Sequence, residues 1–198
     1  MEVTKNKLRR EMHRQRQSLS PDQQQAAGEA LSAHLLRLPG LTGGRRFAGY
    51  VASGGEIDPM PALLKLIGRG RRCYLPIIVP GRRPALRFGV FDASSRFAAN
   101  RFGIPEPQVE PRHQLKAVEL DWLFLPLVAF DRSGNRLGMG GGFYDASLAN
   151  LLCRRHWMRP RLIGLAHGFQ SVDRLDTDNW DVPIHGIVTE SGYYSCHE

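Results

Sequence analysis

The sequence predicts an α/β fold: an open, mostly parallel sheet flanked by helices, with two helices ahead of the first strand. Three observations carry this. Strand, helix and strand textures follow one another between Phe47 and Val79 at the spacing of a βαβ unit. The apolar run Trp122–Phe130 reads as a buried strand and passes through a polar, glycine-rich turn into a helix. The residues before Gly40 carry helical rather than alternating periodicity.

The elements follow in order. Leu8, Met12, Gln15 and Leu19 recur at helical spacing, with Lys5, Arg9 and Arg16 on a neighbouring row and Thr4 as the N-cap. Ser20-Pro21-Asp22-Gln23 reads as a capping box with proline at the first helical position. Its stripe, Ala27, Leu31, Leu35 and Leu38, stops at Pro39-Gly40. Phe47–Ala52 is expected as a strand, Pro59–Ile67 as a helix, and Cys73–Val79 as the parallel partner strand. Ala85–Phe91 is a further strand, and residues 92–118, holding Ile104-Pro105-Glu106-Pro107, form a loop or excursion. A helix over Tyr144–Arg155 and strands at Arg161–Ala166 and Gly186–Thr189 complete one domain over residues 1–198, without internal repeats.

Composition bounds the function classes. With 198 residues, 42% hydrophobic and 23% charged, the chain can bury a core and is not globally disordered. No run approaches the ~18 apolar residues of a membrane span, and the basic N-terminus lacks the apolar segment of a secretory signal, so a cytoplasmic protein is expected. Cys73, Cys153 and Cys196 are odd in number and lack CxxC spacing, which disfavours a disulfide framework and a cysteine zinc site. The net charge is +8; four of the 27 basic residues are lysine and the rest arginine. Such an excess favours anionic partners, although solvated faces absorb much of it. Half of it lies in residues 1–16, where six Lys/Arg face two Glu.

The chemistry concentrates in Asp131-Arg-Ser-Gly-Asn-Arg-Leu-Gly-Met-Gly-Gly-Gly-Phe-Tyr-Asp145. The segment falls after the main strand and before a helix, at the carboxyl edge where open α/β sheets bind ligands. Gly138, Gly140, Gly141 and Gly142 let backbone N–H groups approach an anion, and the helix N-terminus adds positive partial charge. Arg136 is placed for a phosphate contact and Asp145 for the magnesium ion that phosphates bring. A Walker A loop is excluded because no GK[ST] occurs, and GxGxxG fails at Phe143. A turn that merely reverses the chain needs one or two glycines; four in five residues, flanked by Arg and Asp, point to function.

Arg136-Leu-Gly-Met-Gly-Gly-Gly-Phe-Tyr-Asp145 resembles the signature of the 5-formyltetrahydrofolate cyclo-ligases, or methenyltetrahydrofolate synthetases. The likeness extends through Lys5–Arg9, Gly55-Glu-Ile-Asp58, Tyr74-Leu-Pro76, Phe102-Gly-Ile-Pro-Glu-Pro107, Pro126–Asp131, Trp180-Asp-Val-Pro183 and Ile187-Val-Thr189, in order. It implies a Rossmann-like three-layer architecture, akin to CoA transferases and isomerases. It also implies an ATP- and Mg²⁺-dependent ring closure of 5-formyltetrahydrofolate, in monoglutamate or polyglutamylated form, to 5,10-methenyltetrahydrofolate with release of ADP and phosphate. In the family scheme ATP phosphorylates the formyl oxygen, N10 attacks, and phosphate departs; phosphoryl transfer asks the protein for positioning and charge neutralisation.

Carried over by position, Lys5 and Arg9 resemble N-terminal ATP contacts. Arg136, Leu137, Gly138, Met139, Gly140, Gly141, Gly142, Phe143 and Tyr144 resemble the main ATP loop, with Arg136 and Asp145 catalytic. Asp145 and Asp181 match metal-associated carboxylates. Val51 and Glu56 match folate-contacting positions, while Met139 and Phe143 offer apolar contact to the pteridine. Two positions depart: many members carry a basic residue where Met139 stands and an arginine where Ala146 follows.

Residue type alone leaves alternatives. Glu56 reads equally as a helix cap beside Asp58, Asp181 as an Asx-turn residue, His167 as a structural histidine, and Lys5 and Arg9 as solvated helix charges. A basic nucleic-acid module is a rival class, but no RNP, KH, zinc-finger or helix-turn-helix pattern appears. A sugar-phosphate isomerase or acyl-CoA transferase of similar architecture is another. The expectation is a monomer acting on a folate, without nucleic-acid or membrane partners.

Overall fold

The computed structural model describes residues 4–152, 159–176, 178 and 181–196. Lys5–Gln17 forms α1 and Pro21–Leu35 forms α2. The capping box of α2 is made: Gln23 N–H donates to Ser20 Oγ at 3.2 Å, and Ser20 N–H to Gln23 Oε1 at 2.8 Å. Thr4 occupies the N-cap of α1, but its side chain makes no capping bond. Leu38 falls in the turn after α2 and remains buried.

The strands are β1 (Arg46–Ala48), β2 (Arg72–Ile78), β3 (Leu86–Phe91), β4 (Phe97–Ala99), β5 (Pro105–Pro107), β6 (Trp122–Pro126), β7 (Ala129–Phe130), β8 (Arg136–Leu137), β9 (Arg161–Leu165), β10 (Gly186–Thr189) and β11 (Gly192–Ser195). Helix α3 (Met60–Gly68) joins β1 to β2, and α4 (Phe143–Leu152) lies between β8 and β9. Seven strands form one sheet in the order β11-β10-β9-β6-β1-β2-β3; only the edge strands β3 and β11 run antiparallel to their neighbours. The chain moves outward from β1 through β2 and β3, then returns to β6 on the other side of β1. The order therefore reverses between β1 and β6, where doubly wound sheets open a crevice at their carboxyl ends.

Alternation along the strands sorts the core into two faces. Phe47 and Phe124 stack 6.4 Å apart against Leu31 and Leu35 of α2 and Leu63 and Leu66 of α3. Ala48, Leu123 and Leu125 face the opposite way, toward Leu148 and Leu151 of α4. A third cluster fixes the position of α1: Met12 packs on Val128, Ala129 and Leu137, with Leu8 alongside. Helix α1 is thereby docked on the β7–β8 hairpin, next to the glycine segment.

Several expectations need correction. The strand expected over Phe47–Ala52 ends at Ala48, releasing Tyr50 and Val51 toward the crevice. Trp122–Phe130 is two strands: pairing with β9 ends at Pro126, which has no N–H for a ladder, and Ala129–Phe130 turns to pair with Arg136–Leu137. Residues 92–118 contain the antiparallel β4–β5 pair. Helix α4 begins at Phe143, and the expected end of that helix, Arg155, lies outside the described residues, as do Cys153 and Trp180. Strand β11 was not anticipated, because Gly192-Tyr-Tyr-Ser195 is an exposed edge without apolar alternation. The remaining strands and α3 agree with expectation to within one residue. Among the described residues no helix is long and apolar enough to cross a membrane.

Candidate active site

The site is built on the β7–β8 hairpin. Asp131, 2% exposed, accepts hydrogen bonds from the N–H groups of Ser133, Asn135 and Leu175 and from Asn135 Nδ2, at 2.9–3.1 Å. This carboxylate pins the turn, so that β8 presents Arg136 next to α4. The Arg136 side chain is buried; its Nη2 donates to Asp145 Oδ1 at 2.5 Å, while its Nε has no hydrogen-bond partner. Between them, residues 138–142 form an exposed loop in which Gly140 (φ +92°) and Gly142 (φ +66°) adopt backbone conformations that side chains disfavour.

Helix α1 closes one wall. Arg9 Nε donates to the Gly138 carbonyl at 2.9 Å, and Lys5 Nζ pairs with Asp178 at 2.6 Å. Asp181 accepts from the Asp178 N–H at 2.9 Å, a bond that reaches three residues back and not two residues on as in an Asx-turn, and it also lines the cavity.

The loop after β1 closes the opposite wall. Tyr50 donates its hydroxyl to the Ile57 carbonyl at 2.8 Å, and the Ser53 N–H donates to Glu56 Oε2 at 3.1 Å. Asp58 accepts from the Met60 N–H at the start of α3, so Glu56 does not cap that helix and is left to the cavity. Burial pushes the Glu56 carboxyl above the usual range, outweighing the downward pull of the Ser53 N–H and of Arg16. Arg16 itself is almost completely buried, with Nη1 3.9 Å from Glu56. Desolvation also pushes the Tyr144 phenol up. Phe143 meets Phe102 edge-on at 6.1 Å, with the Arg101 guanidinium over both rings.

These walls enclose a cavity of about 790 Å³. Every residue singled out from the sequence as a site candidate lines it: Lys5, Arg9, Val51, Glu56, the run Arg136–Asp145, and Asp181. His167 does not. It is 2% exposed, its Nε2 lies 3.1 Å from the Gly55 carbonyl and must carry the proton there, and its ring stacks on Phe169. It therefore supports the Glu56 loop from behind.

Lys5, Arg9, Arg136 and the glycine loop line the cavity on one side, and the apolar Val51, Met139 and Phe143 line it together with the buried Glu56. That suits a polyphosphate held next to a flat heterocycle. No group of three or more His, Cys, Asp or Glu able to hold a metal occurs among the described residues. Magnesium brought by phosphates needs only one or two protein carboxylates, and Asp145 and Asp181 share this cavity.

A family model for 5-formyltetrahydrofolate cyclo-ligases matches residues 1–190. The chain belongs to that family. A 5-formyltetrahydrofolate cyclo-ligase of Escherichia coli K12 is 36% identical over 180 residues, spanning 91% of this chain and 97% of the relative. One from Haemophilus influenzae is 37% identical over 186 residues, spanning 93% and 96%. The solution structure of Aquifex aeolicus 5,10-methenyltetrahydrofolate synthetase superposes with a TM-score of 0.81 at 27% identity, covering 98% of this chain and 93% of that one. Membership of the cyclo-ligase family sets aside the isomerase and transferase readings.

Among the residues that the fold brings to the cyclo-ligase cavity or beside it, and that the sequence reading did not single out for the site, are Arg16, Tyr50, Arg101, Phe102 and Asp178. Phe102 belongs to a segment that carried the family likeness, which was its one available signal. Arg16 shares a helix row with Lys5 and Arg9, and that row was the hint that it faces the same way.

Proposed function

We propose that this protein closes 5-formyltetrahydrofolate to 5,10-methenyltetrahydrofolate, with ATP as co-substrate and Mg²⁺ as its counter-ion, releasing ADP and phosphate. The formyl oxygen is a poor leaving group. Transfer of the γ-phosphoryl group to it lets N10 attack the formyl carbon and expel that oxygen as phosphate.

The chain's residues divide this work. The N–H groups of residues 138–142 and the start of α4 cradle the phosphates, and Lys5 exchanges Asp178 for a phosphate oxygen. Arg136, oriented by Asp145, faces the charge that develops on the transferring group. Asp145 and Asp181 would hold Mg²⁺, which supplies further neutralisation of the phosphates. Glu56 accepts from the donor edge of the pterin, and Val51, Met139 and Phe143 provide apolar wall.

The observation that carries this reading is the convergence of the glycine loop, the α1 cations and the buried Glu56 on one cavity. The engagement of Lys5 and Arg9 within it also argues against a free nucleic-acid arm. The test is the appearance of methenyl absorbance from 5-formyltetrahydrofolate with ATP and Mg²⁺ present or withheld. Product should form only with both, and ADP in step; turnover indifferent to ATP would overturn the proposal.

A further inference from the structure

Arg16 forms part of the cavity wall and is 1% exposed, yet its Nε and Nη1 have no hydrogen-bond partner. Its Nη2 reaches the Met139 thioether at 3.9 Å, a weak acceptor. Glu56 Oε1 lies 3.9 Å from Nη1, near enough for attraction and too far for a hydrogen bond. A buried guanidinium left with open donors is costly unless a ligand completes it. Met139 covers it loosely, being 63% exposed and on the glycine loop, so an arriving ligand can displace that thioether. The placement is fixed from behind: Gly55 has φ +77°, a Cβ there would stand 2.8 Å from the Arg16 carbonyl oxygen, and His167 bonds the Gly55 carbonyl. The backbone beside Glu56 thus holds Arg16 next to that carboxylate.

The wall therefore presents a donor-only group beside an acceptor-only one. We infer that Arg16 and Glu56 together read the lactam edge of a 2-amino-4-oxopteridine, Arg16 donating to the 4-oxo oxygen while Glu56 accepts from N3–H and the 2-amino group. This rests on the folate reading above and adds a specificity determinant outside the glycine loop. Along that edge the ligand runs acceptor, donor, donor, the complement of guanidinium followed by carboxylate. A 4-amino group reverses the first two positions: an amine donor then faces the guanidinium, and N3, now without its hydrogen, faces the carboxylate, so only the first of these clashes is relieved when Arg16 is replaced. A phosphate is the poorer occupant, because the Glu56 carboxylate stands next to the same place.

The experiment compares folic acid with 4-amino-4-deoxyfolic acid, measured calorimetrically on the full chain and on Arg16→Gln and Arg16→Met, each checked for folding by circular dichroism. The ratio of the 4-amino to the 4-oxo Kd should fall at least about tenfold in both variants, as expected for loss of a charge-assisted hydrogen bond. The KM for ATP should stay within about threefold, below the cost of a lost contact. In the unmodified protein the Arg16 Nε–H resonance should shift with folic acid and not with ATP alone, a readout independent of either variant folding. A ratio that does not move, a resonance shift with ATP alone, or a selective rise in the KM for ATP would each overturn the assignment. Failure of the unmodified protein to bind either pteridine would bring down the folate reading with it; binding with an unmoved ratio would bring down this inference only.

Discussion

Arg9 donates its Nε–H to the carbonyl of Gly138 at 2.9 Å, joining positions 129 residues apart in the chain. The bond closes a path that begins in the core, since Met12 of the same helix packs on Leu137, the residue before Gly138. Helix α1 is thus a wall of the site and not an appendage. Its low apolar content would leave it marginal in isolation, and docking on the hairpin supplies the missing burial.

The N-terminal cations should therefore act on the nucleotide. Lys5→Ala with Arg9→Ala should raise the KM for ATP about tenfold to a hundredfold, taking ~1.5–3 kcal/mol for charge-assisted hydrogen bonds. Folding should survive, because neither residue belongs to the Met12 cluster. Steady-state kinetics with varied ATP decide it, and an unchanged KM would remove α1 from the nucleotide site.

Asp145 pairs with the buried Arg136, and in the proposed reaction it would also carry charge toward the phosphates. Asp145→Asn keeps the shape and removes the charge, so kcat should fall by the equivalent of about 2–4 kcal/mol, the size of other electrostatic contacts to a transition state. The Mg²⁺ concentration for half-maximal rate should rise, and the melting temperature should fall by roughly a few degrees, because the buried Arg136 keeps a neutral acceptor but loses its counter-charge. Normal turnover at limiting Mg²⁺ would reduce Asp145 to a helix-start residue.

Much of this was legible in the sequence, and the failures have physical reasons. Phe47, Trp122 and Leu162 announce parallel strands because both faces of such strands are buried. The glycine loop was visible because glycines cluster where backbone must approach a ligand. The split at Pro126 was missed because apolar content continues across a break in the ladder. Arg16 was missed as a site residue because helical periodicity gives a row but not how deeply that row is buried. Asp178 was missed because its tie to Lys5 joins residues 173 apart.

Glu56 should link pH to folding and, on the proposed reading, to folate binding as well. Burial raises its folded carboxyl above the unfolded value, so between those two values the folded chain holds more protons. Stability through this group is therefore complete below the unfolded value and declines as pH rises through the raised one. Glu56→Gln should show no difference in melting temperature from the parent at the acid end and an advantage above the window. Folate binding should run the other way: the KM for 5-formyltetrahydrofolate should rise on acidification in the parent, and be high and flat with pH in Glu56→Gln, with the KM for ATP little moved. A pH-independent parent KM, or an effect confined to ATP, would refute the role.

The last expectation separates two uses of glycine in one loop. Gly140 has φ +92°, and a Cβ built there meets the Arg9 guanidinium carbon at 3.5 Å, an ordinary contact. Any harm from Gly140→Ala must then come through the backbone, which would have to abandon its conformation at a cost on the order of 1–3 kcal/mol. Gly138 has no positive φ, and a Cβ there meets nothing within 4 Å. If the loop works by aiming its N–H groups, Gly140→Ala should raise the KM for ATP about tenfold, following that conformational cost, and Gly138→Ala should stay close to the parent. Because the loop is exposed, neither change should lower the melting temperature by more than a few degrees, about the effect of ~1 kcal/mol in a chain of this size. Equal damage at both positions would mean instead that the ligand crowds the whole loop and that glycine is needed there for its size.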